Sequence, residues 1–297
     1  MKTIKSHANY FEASARKRLE GILDPGSFTE FCGPEEKTLS PHLKVFNLPS
    51  AFDDGVAVGK GALDGAPVLV AAQEGKFMGG ALGEIHCAKI TGLLRLALKT
   101  RPEAVILLPD SGGVRLQEAN AGEIGAAEII RAIMDLRADG IPVIAAVGGS
   151  CGVFGGSGII TGCCDAVVIS EAGRAGVSGP EVIETNMGAE EFDSRDRALV
   201  WRVYGGRSRR VLGAAGFFAK NTMEDFRLKI TAALRAKRKT GLEALEAEDA
   251  LLRERFGKFR ECRSPFDIWR KAGIDEPERL SALSDDGFNA LIGRAGL

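Results

Sequence analysis

The chain reads as an α/β protein built on a largely parallel sheet. Two observations predict this. Apolar runs alternate with helical segments between residues 55 and 170, which calls for right-handed crossovers between parallel strands. Three of those runs also end in glycine-rich turns: Phe77-Met78-Gly79-Gly80, Ser111-Gly112-Gly113, and Gly148-Gly149 through Gly155-Gly156. Ligands on such sheets gather at the carboxyl ends of the strands, where all three turns would sit.

The elements follow in order. Residues 9–24 are predicted helical from the spacing of Phe11, Ala15, Leu19 and Leu23, and Asp24-Pro25-Gly26-Ser27 ends the helix. Residues 32–54 carry three prolines and little periodicity, and read as loop. Val56-Ala57-Val58 and Pro67–Ala72 flank Asp64-Gly65, a hairpin signal. A helix is expected over about 82–99, a strand over 104–109, and a helix over about 119–138 with the stripe Ile124, Ala127, Ile130, Ile133 and Met134. A strand at 142–147, a helix from Gly155 and a strand at 166–170 complete the alternation. Residues 222–260 are charged and helical in character. Their apolar points are Leu228, Leu234, Leu242, Leu245, Leu252 and Phe256, which suit docking on the core or on a partner. The pattern divides the chain at 1–54, 55–221 and 222–297, read together as one unit.

Composition excludes several classes. Of 297 residues 45% are apolar, and 39 cations against 40 anions leave a formal charge of −1. That balance offers no general attraction for nucleic acid or an anionic membrane. The cluster Arg207-Ser208-Arg209-Arg210 reads as a solvated loop before it reads as an anion site. Six cysteines form no C-x-x-C pair, so no metal site is expected. Met1–Ser14 lacks an apolar signal region and no apolar run is long enough to span a membrane, so a cytoplasmic protein is expected. Cys151 lies beside the second turn as a candidate nucleophile, but no base stands near it in sequence.

Glycine lets main chain approach a substrate closely. Backbone N–H groups at a helix start attract negative charge. Two such turns side by side make an oxyanion hole for an enolate or a tetrahedral oxyanion. The residues alone thus point to acyl-thioester chemistry run by backbone dipoles. His86 reads as a packed histidine, Glu118 as a brace for the first turn, and the Asp193–Arg197 cluster as local ion pairs.

The segment Gly155–Asp165, a glycine cluster opening a helix that ends in Cys-Asp, precedes a strand and then Gly176-Val177-Ser178-Gly179-Pro180-Glu181. This order resembles the crotonase superfamily. Ser111–Glu118, and Phe77–Gly83 followed by Lys89, resemble its carboxyltransferase branch. Within that branch the chain lacks the N-terminal four-cysteine zinc ribbon of bacterial acetyl-CoA carboxylase β subunits. It is more similar to β subunits of biotin-independent malonate decarboxylase. Ser14–Arg18, Asp53–Val58, Gly179–Glu184 and Glu191–Arg197 with Trp201 carry that likeness. The resemblance spans roughly residues 10–220 and implies a crotonase-like ββα superhelix.

It also implies a function. Together with a γ subunit of related fold, such a chain decarboxylates a malonyl thioester carried on the CoA-derived phosphopantetheine arm of an acyl carrier protein. A separate acyl carrier transferase subunit exchanges acetate for malonate, and no biotin is used. No cofactor is expected to be tightly bound to the chain itself. Ser111, Gly112, Gly113, Gly155 and Gly156 are the expected catalytic main chain, with Gly156 donating at the helix start. Gly79, Gly80, Arg115, Gly179, Pro180 and Glu181 are expected to bind substrate. The alternatives are a carboxyltransferase subunit of a biotin-dependent acyl-CoA carboxylase, and a scaffold half whose partner holds the chemistry.

Overall fold

A computed structural model describes residues 9–36, 39–48, 55–238 and 240–295. Parts of the 32–54 loop reading, and Asp53 and Asp54, lie outside these residues.

The first helix, α1, is shorter than predicted, Ala15–Ile22. Ser14 caps it by accepting from the Lys17 N–H, and residues before that cap form turns. Strand β1 (Thr29–Phe31) follows, then β2 (Val56–Leu63) and β3 (Ala66–Gln73). β2 and β3 form the expected hairpin. Its turn residues Asp64 and Gly65 both have positive φ (53° and 78°), the geometry that Asp-Gly supplies. Then come α2 (Glu84–Thr100), β4 (Ala104–Leu108), α3 (Ala121–Ala138), β5 (Val143–Val147), α4 (Gly156–Gly162) and β6 (Ala166–Ser170). Beyond the sheet core lie α5 (Pro180–Met187), α6 (Arg197–Tyr204), α7 (Gly206–Val211) and β7 (Phe217–Ala219). The chain closes with α8 (Met223–Arg235), α9 (Gly241–Phe259), α10 (Pro265–Lys271) and α11 (Asp285–Ala295).

Among the described residues the seven strands form one sheet in sequential order, β1 to β7. β1–β2 and β2–β3 pair antiparallel, and every later pair is parallel. β4 and β5 are buried along their whole length, as strands covered on both faces must be. One apolar layer packs α2 and α3 on the sheet through Leu94, Ile129, Ile133 and Leu136. The opposite layer packs α1 and α8 through Leu19, Ile22, Phe226 and Ile230. A third cluster gathers α7, α10 and α11 around Trp269 and Phe288.

Two apolar patterns differ from expectation. In α3 Ile133 is buried and Ile130 and Met134 pack on the core as expected, but Ile124 is 63% exposed and the fully buried face is Ala126, Ile129, Ala132, Ile133 and Leu136. Close helix approach explains this. A side chain at Gly122 would strike the Leu82 carbonyl, and one at Gly125 would strike the Cys87 side chain. Glycine therefore faces inward where the helices touch in the first turns of α3, and Ile124 between the two points out. In the C-terminal region α8 buries Met223, Phe226, Ile230 and Ala233, not Leu228. Leu242, Leu245, Leu252 and Phe256 are all exposed on α9. Among the described residues no helix is long and apolar enough to cross a membrane.

Candidate functional site

The turns that follow the parallel strands are knitted to one another by a small second ladder. Ser111 bridges Val153, Val153 bridges Ala175, and Leu82 bridges Val114, all in parallel sense. Ser111 N–H donates to Gly152 O at 2.7 Å, and Gly112 N–H donates to Gly79 O at 2.9 Å. Gly155 N–H donates to Val177 O at 2.8 Å. Residues 79–80, 111–114, 152–156 and 176–179 are thus gathered at one end of the sheet. Gly80 shows how tight the junction is. Its φ is +67°, and a Cβ there would overlap the Asp110 carbonyl.

Within this cluster the main chain donors can be counted. The N–H groups of Ser111 and Gly112 are used as above, and that of Gly113 donates to Ser111 Oγ at 3.3 Å. At the start of α4, Ser157 and Gly158 both turn back to the Phe154 carbonyl, and Ile159 donates to Gly155 O. In the first turn and at the start of α4 this leaves Val114 N–H and Gly156 N–H without a partner among the described residues, and on the bordering turn Val177, Ser178 and Gly179 N–H are also without one. Val114 and Gly156 are neighbours: a Cβ at Gly156 would lie 3.5 Å from Val114 Cγ1. Orphan donors at a helix start are the usual anion-attracting groups of a fold. Two orphans on adjacent turns can stabilise one oxyanion.

Asp110 holds the turns from below. Its carboxylate is 2% exposed and accepts from Arg18 Nη2 of α1 at 2.9 Å. It also accepts from Cys151 N–H in the second turn at 2.7 Å. Its own N–H donates to Gln73 Oε1 at the end of β3, at 3.0 Å. Gln73 must then offer its amide NH2 to His86 Nε2, 2.9 Å away. The carboxylate fills the space next to Gly149, where any side chain would collide with it. Sequence reasoning missed Asp110 and Arg18 as a pair. The available signal was an acidic residue closing a wholly apolar strand.

A second buried brace lies under the first turn. Glu118 Oε2 accepts from Glu84 N–H at the start of α2, at 2.6 Å. Arg115 stands 3.5 Å from the other Glu118 oxygen, with both side chains fully enclosed. The Arg115 guanidinium also lies over the Phe77 ring, 5.4 Å from its centroid. Glu118 therefore braces, as expected. Arg115 sits in the supporting layer, enclosed between these groups.

The remaining expected residues are placed as follows. Gly179 precedes α5 and Pro180 is its first residue, with Glu181 exposed on the first turn. Arg174 stacks near Phe154 and Trp201, 5.9 and 5.0 Å from the ring centroids, and donates to Ser150 O at 2.6 Å. His86 is fully buried beneath the site. In the Asp193–Arg197 cluster, Asp196 caps α6 and Asp193 accepts from Arg195 N–H, which are local contacts. Arg207 is buried and donates to the carbonyls of Leu280, Ser281 and Leu283, so it anchors the C-terminal segment instead of lying in a solvated loop. Cys151 Sγ faces Gly75 O at 3.4 Å, and burial pushes its thiol pKa up, away from the reactive thiolate.

Comparisons with known proteins show the family and the fold. Residues 12–226 match the carboxyl transferase domain family. The chain is 36% identical to malonyl-S-ACP:biotin-protein carboxyltransferase MADC of Malonomonas rubra, with 96% of each chain covered. It is 32% identical to the acetyl-coenzyme A carboxylase carboxyl transferase subunit beta of Fusobacterium nucleatum, over 62% of each. Among solved structures, a chain of a Pseudomonas malonate decarboxylase hetero-tetramer in complex with malonate matches with a TM-score of 0.81 and 38% identity. That match covers 89% of this chain and 96% of the other. The transcarboxylase 12S subunit matches with a TM-score of 0.64 and 26% identity, over 74% of this chain and 40% of that one. The fold is the crotonase fold these enzymes share.

Proposed function

We propose that this chain, which belongs to the carboxyl transferase domain family, is the β subunit of a malonate decarboxylase. It acts on a malonyl thioester carried by an acyl carrier protein, and it works beside a subunit of related fold. The carrying observation is the pair of unpartnered N–H groups, Val114 and Gly156, on adjacent turns. The likeness of nearly the whole chain to a malonate decarboxylase component supports the choice of substrate.

The chemistry follows from charge. When the bond between the α-carbon and the carboxylate breaks, its electron pair moves into the thioester as an enolate and CO₂ leaves. Negative charge builds on the thioester oxygen only as the bond breaks. Donors aimed at that oxygen therefore lower the barrier more than they tighten binding. Each is worth on the order of 3–4 kcal/mol. A proton then adds to the α-carbon to give the acetyl thioester. Ser111, Gly112 and Gly113 set the Val114 donor by committing their own N–H groups, and Gly155 turns the chain so that Gly156 can donate. Gly79 and Gly80 back the first turn, and the Gly179–Glu181 turn borders the same end of the sheet. Arg115 acts through the turn it supports.

A second reading has a specific support. The name of the Malonomonas relative makes a biotin-protein the carboxyl acceptor. In that reading the carboxyl group passes to biotin on a partner protein while the same enolate is held by the same donors.

One experiment separates the two. The chain is co-expressed with its related-fold partner and supplied with malonyl-CoA or a malonyl carrier protein, with avidin present. CO₂ release that ignores avidin supports the decarboxylase. Release that needs a biotinylated protein assigns the chain to carboxyl transfer. Gly156→Pro serves as control, since proline is tolerated at the first helical residue but carries no N–H. It should abolish turnover while the subunits still co-purify, and full activity in this variant would rule out the oxyanion assignment.

A further inference from the structure

A cavity of about 20 Å³ lies between the sheet and the helices α2, α3 and α4, and it is only partly enclosed. Most of its wall is aliphatic: Ala71 of β3, Leu107 of β4, Ile90, Ile129 and Ile160. Two polar side chains break that surface, Gln73 and Ser157, which are 4% and 2% exposed. The cavity stands against the two turns that carry the unpartnered donors. Leu108 and Pro109, which also line it, lead through Asp110 into the Ser111–Gly113 turn. Ser157 is the residue after Gly156, in the first turn of α4.

The wall decides what fits. A cavity of this size has room for one small molecule. A buried water usually makes about three hydrogen bonds, and few groups are free to make them here. Gln73 Oε1 already accepts from Asp110 N–H at 3.0 Å, and its NH2 group already gives one hydrogen to His86 Nε2 at 2.9 Å. One amide hydrogen is left, with the Ser157 hydroxyl, whose oxygen makes no side-chain hydrogen bond among the described residues. Water would be one bond short. None of the lining residues is ionisable, so a carboxylate or bicarbonate would lie there uncompensated. A linear, uncharged molecule with a weak acceptor at each end needs only these two donors. The aliphatic wall supplies the rest of its contact.

We propose that this cavity is a binding site for carbon dioxide, taking up the molecule that leaves when the malonyl thioester loses its carboxylate. The proposal rests on the decarboxylase reading, because that reaction is the source of the gas. Cleavage leaves an enolate and CO₂ in contact, and the pair recombines unless CO₂ moves off or a proton reaches the enolate first. The enolate is anionic and stays with the Val114 and Gly156 donors. CO₂ carries no charge, so those donors do not hold it. A small aliphatic chamber beside them draws it away from the enolate. The same chamber refuses the substrate's carboxylate, and so separates product from substrate by charge alone.

The test uses the co-purified complex. Its crystals are pressurised with carbon dioxide and cooled under pressure. A rod of density is expected in the cavity, with its ends towards Ser157 and Gln73. An empty cavity, or a single water there, overturns the site. Ala71→Val narrows the chamber from β3 with a residue that strands accept, and the rod should then be lost. The second arm follows acetyl thioester formation in the first seconds after mixing with CO₂-saturated buffer or with bicarbonate at the same pH, before the two interconvert. CO₂ should at least halve the parent's rate, and bicarbonate should leave it unchanged. Ala71→Val should keep at least half of the parent's turnover and lose most of the inhibition. Equal inhibition of parent and variant, or equal effects of CO₂ and bicarbonate on the parent, overturns the role in the reaction. Both parent measurements decide the matter even where the variant does not fold. The crystal arm needs no turnover, so a complex that releases no CO₂ in the presence of avidin fails the decarboxylase reading while the cavity is still read separately.

Discussion

Asp110→Asn is the most informative single change, because it alters charge and leaves shape almost intact. The carboxylate and Arg18 are each about 2% exposed, so solvent screens neither. Arg18 already has one nitrogen, Nη1, buried without a hydrogen-bond partner. Asparagine can keep the Cys151 N–H bond through its oxygen. Its NH2 group then faces the guanidinium, donor against donor, and a buried cation is left unpaired. Breaking a buried ion pair from one side costs about 3–5 kcal/mol. For a chain of this size about 1 kcal/mol moves the midpoint by roughly 2–4 °C, so a fall of at least about 6 °C is expected in a thermal melt. Arg18→Met should cost a similar amount. The double variant should lose clearly less than the two singles summed, because neither partner is then stranded. Strictly additive losses, or a drop under about 2 °C for Asp110→Asn, would refute the idea that the pair holds the turns together. If the turns are so held, the variant's kcat should also fall well before its KM changes.

Three further outcomes follow from the same contacts. Glu118→Ala removes the acceptor at the start of α2 and the carboxylate that stands beside the enclosed Arg115. A loss of about 3–5 kcal/mol is expected in urea unfolding, and Glu118→Gln should lose less because it still accepts from Glu84 N–H. Glu171, which accepts from Arg207 N–H, has its carboxyl pushed up to about 7 by burial, with that hydrogen bond and the Arg207 charge pulling partly back. A carboxyl raised in the fold favours the folded state below its unfolded pKa, and this contribution is lost as pH rises through the folded value. Glu171→Gln should therefore match the parent near pH 4.5 and gain relative stability towards pH 8; a pH-independent difference between the two melts would contradict this. Cys151→Ala should keep at least half of the parent turnover, and a loss of a hundredfold or more would make the thiol a participant.

Much of the fold was legible because its signals are local. Asp64-Gly65 requires positive φ and so announces the hairpin, and the wholly apolar runs at 104–108 and 143–147 announce buried parallel strands. β1 and β7 escaped notice because three residues each carry no pattern. The start of the α3 face was misread at Ile124, because an apolar residue there was taken to face the core. Where two helices touch through Gly122 and Gly125, the residue that packs is the one with no side chain. The glycine turns were legible as a group, since each closes a strand. Which N–H stays free was not, because that depends on carbonyls from other turns, such as Gly79 O and Gly152 O. The Arg18–Asp110 pair spans 92 positions, so a local pattern can mark Asp110 but cannot name its partner.

Val114 and Gly156 bring their donors from the peptide itself. Side-chain truncation has nothing to delete at either position, and an alanine scan would pass over this pair while flagging the braces beneath it. The group is removed by proline, or with less disturbance by exchanging the amide for an ester. The corollary concerns descent: the braces and turn sequences can drift between relatives while the two donors persist, because every residue other than proline carries one.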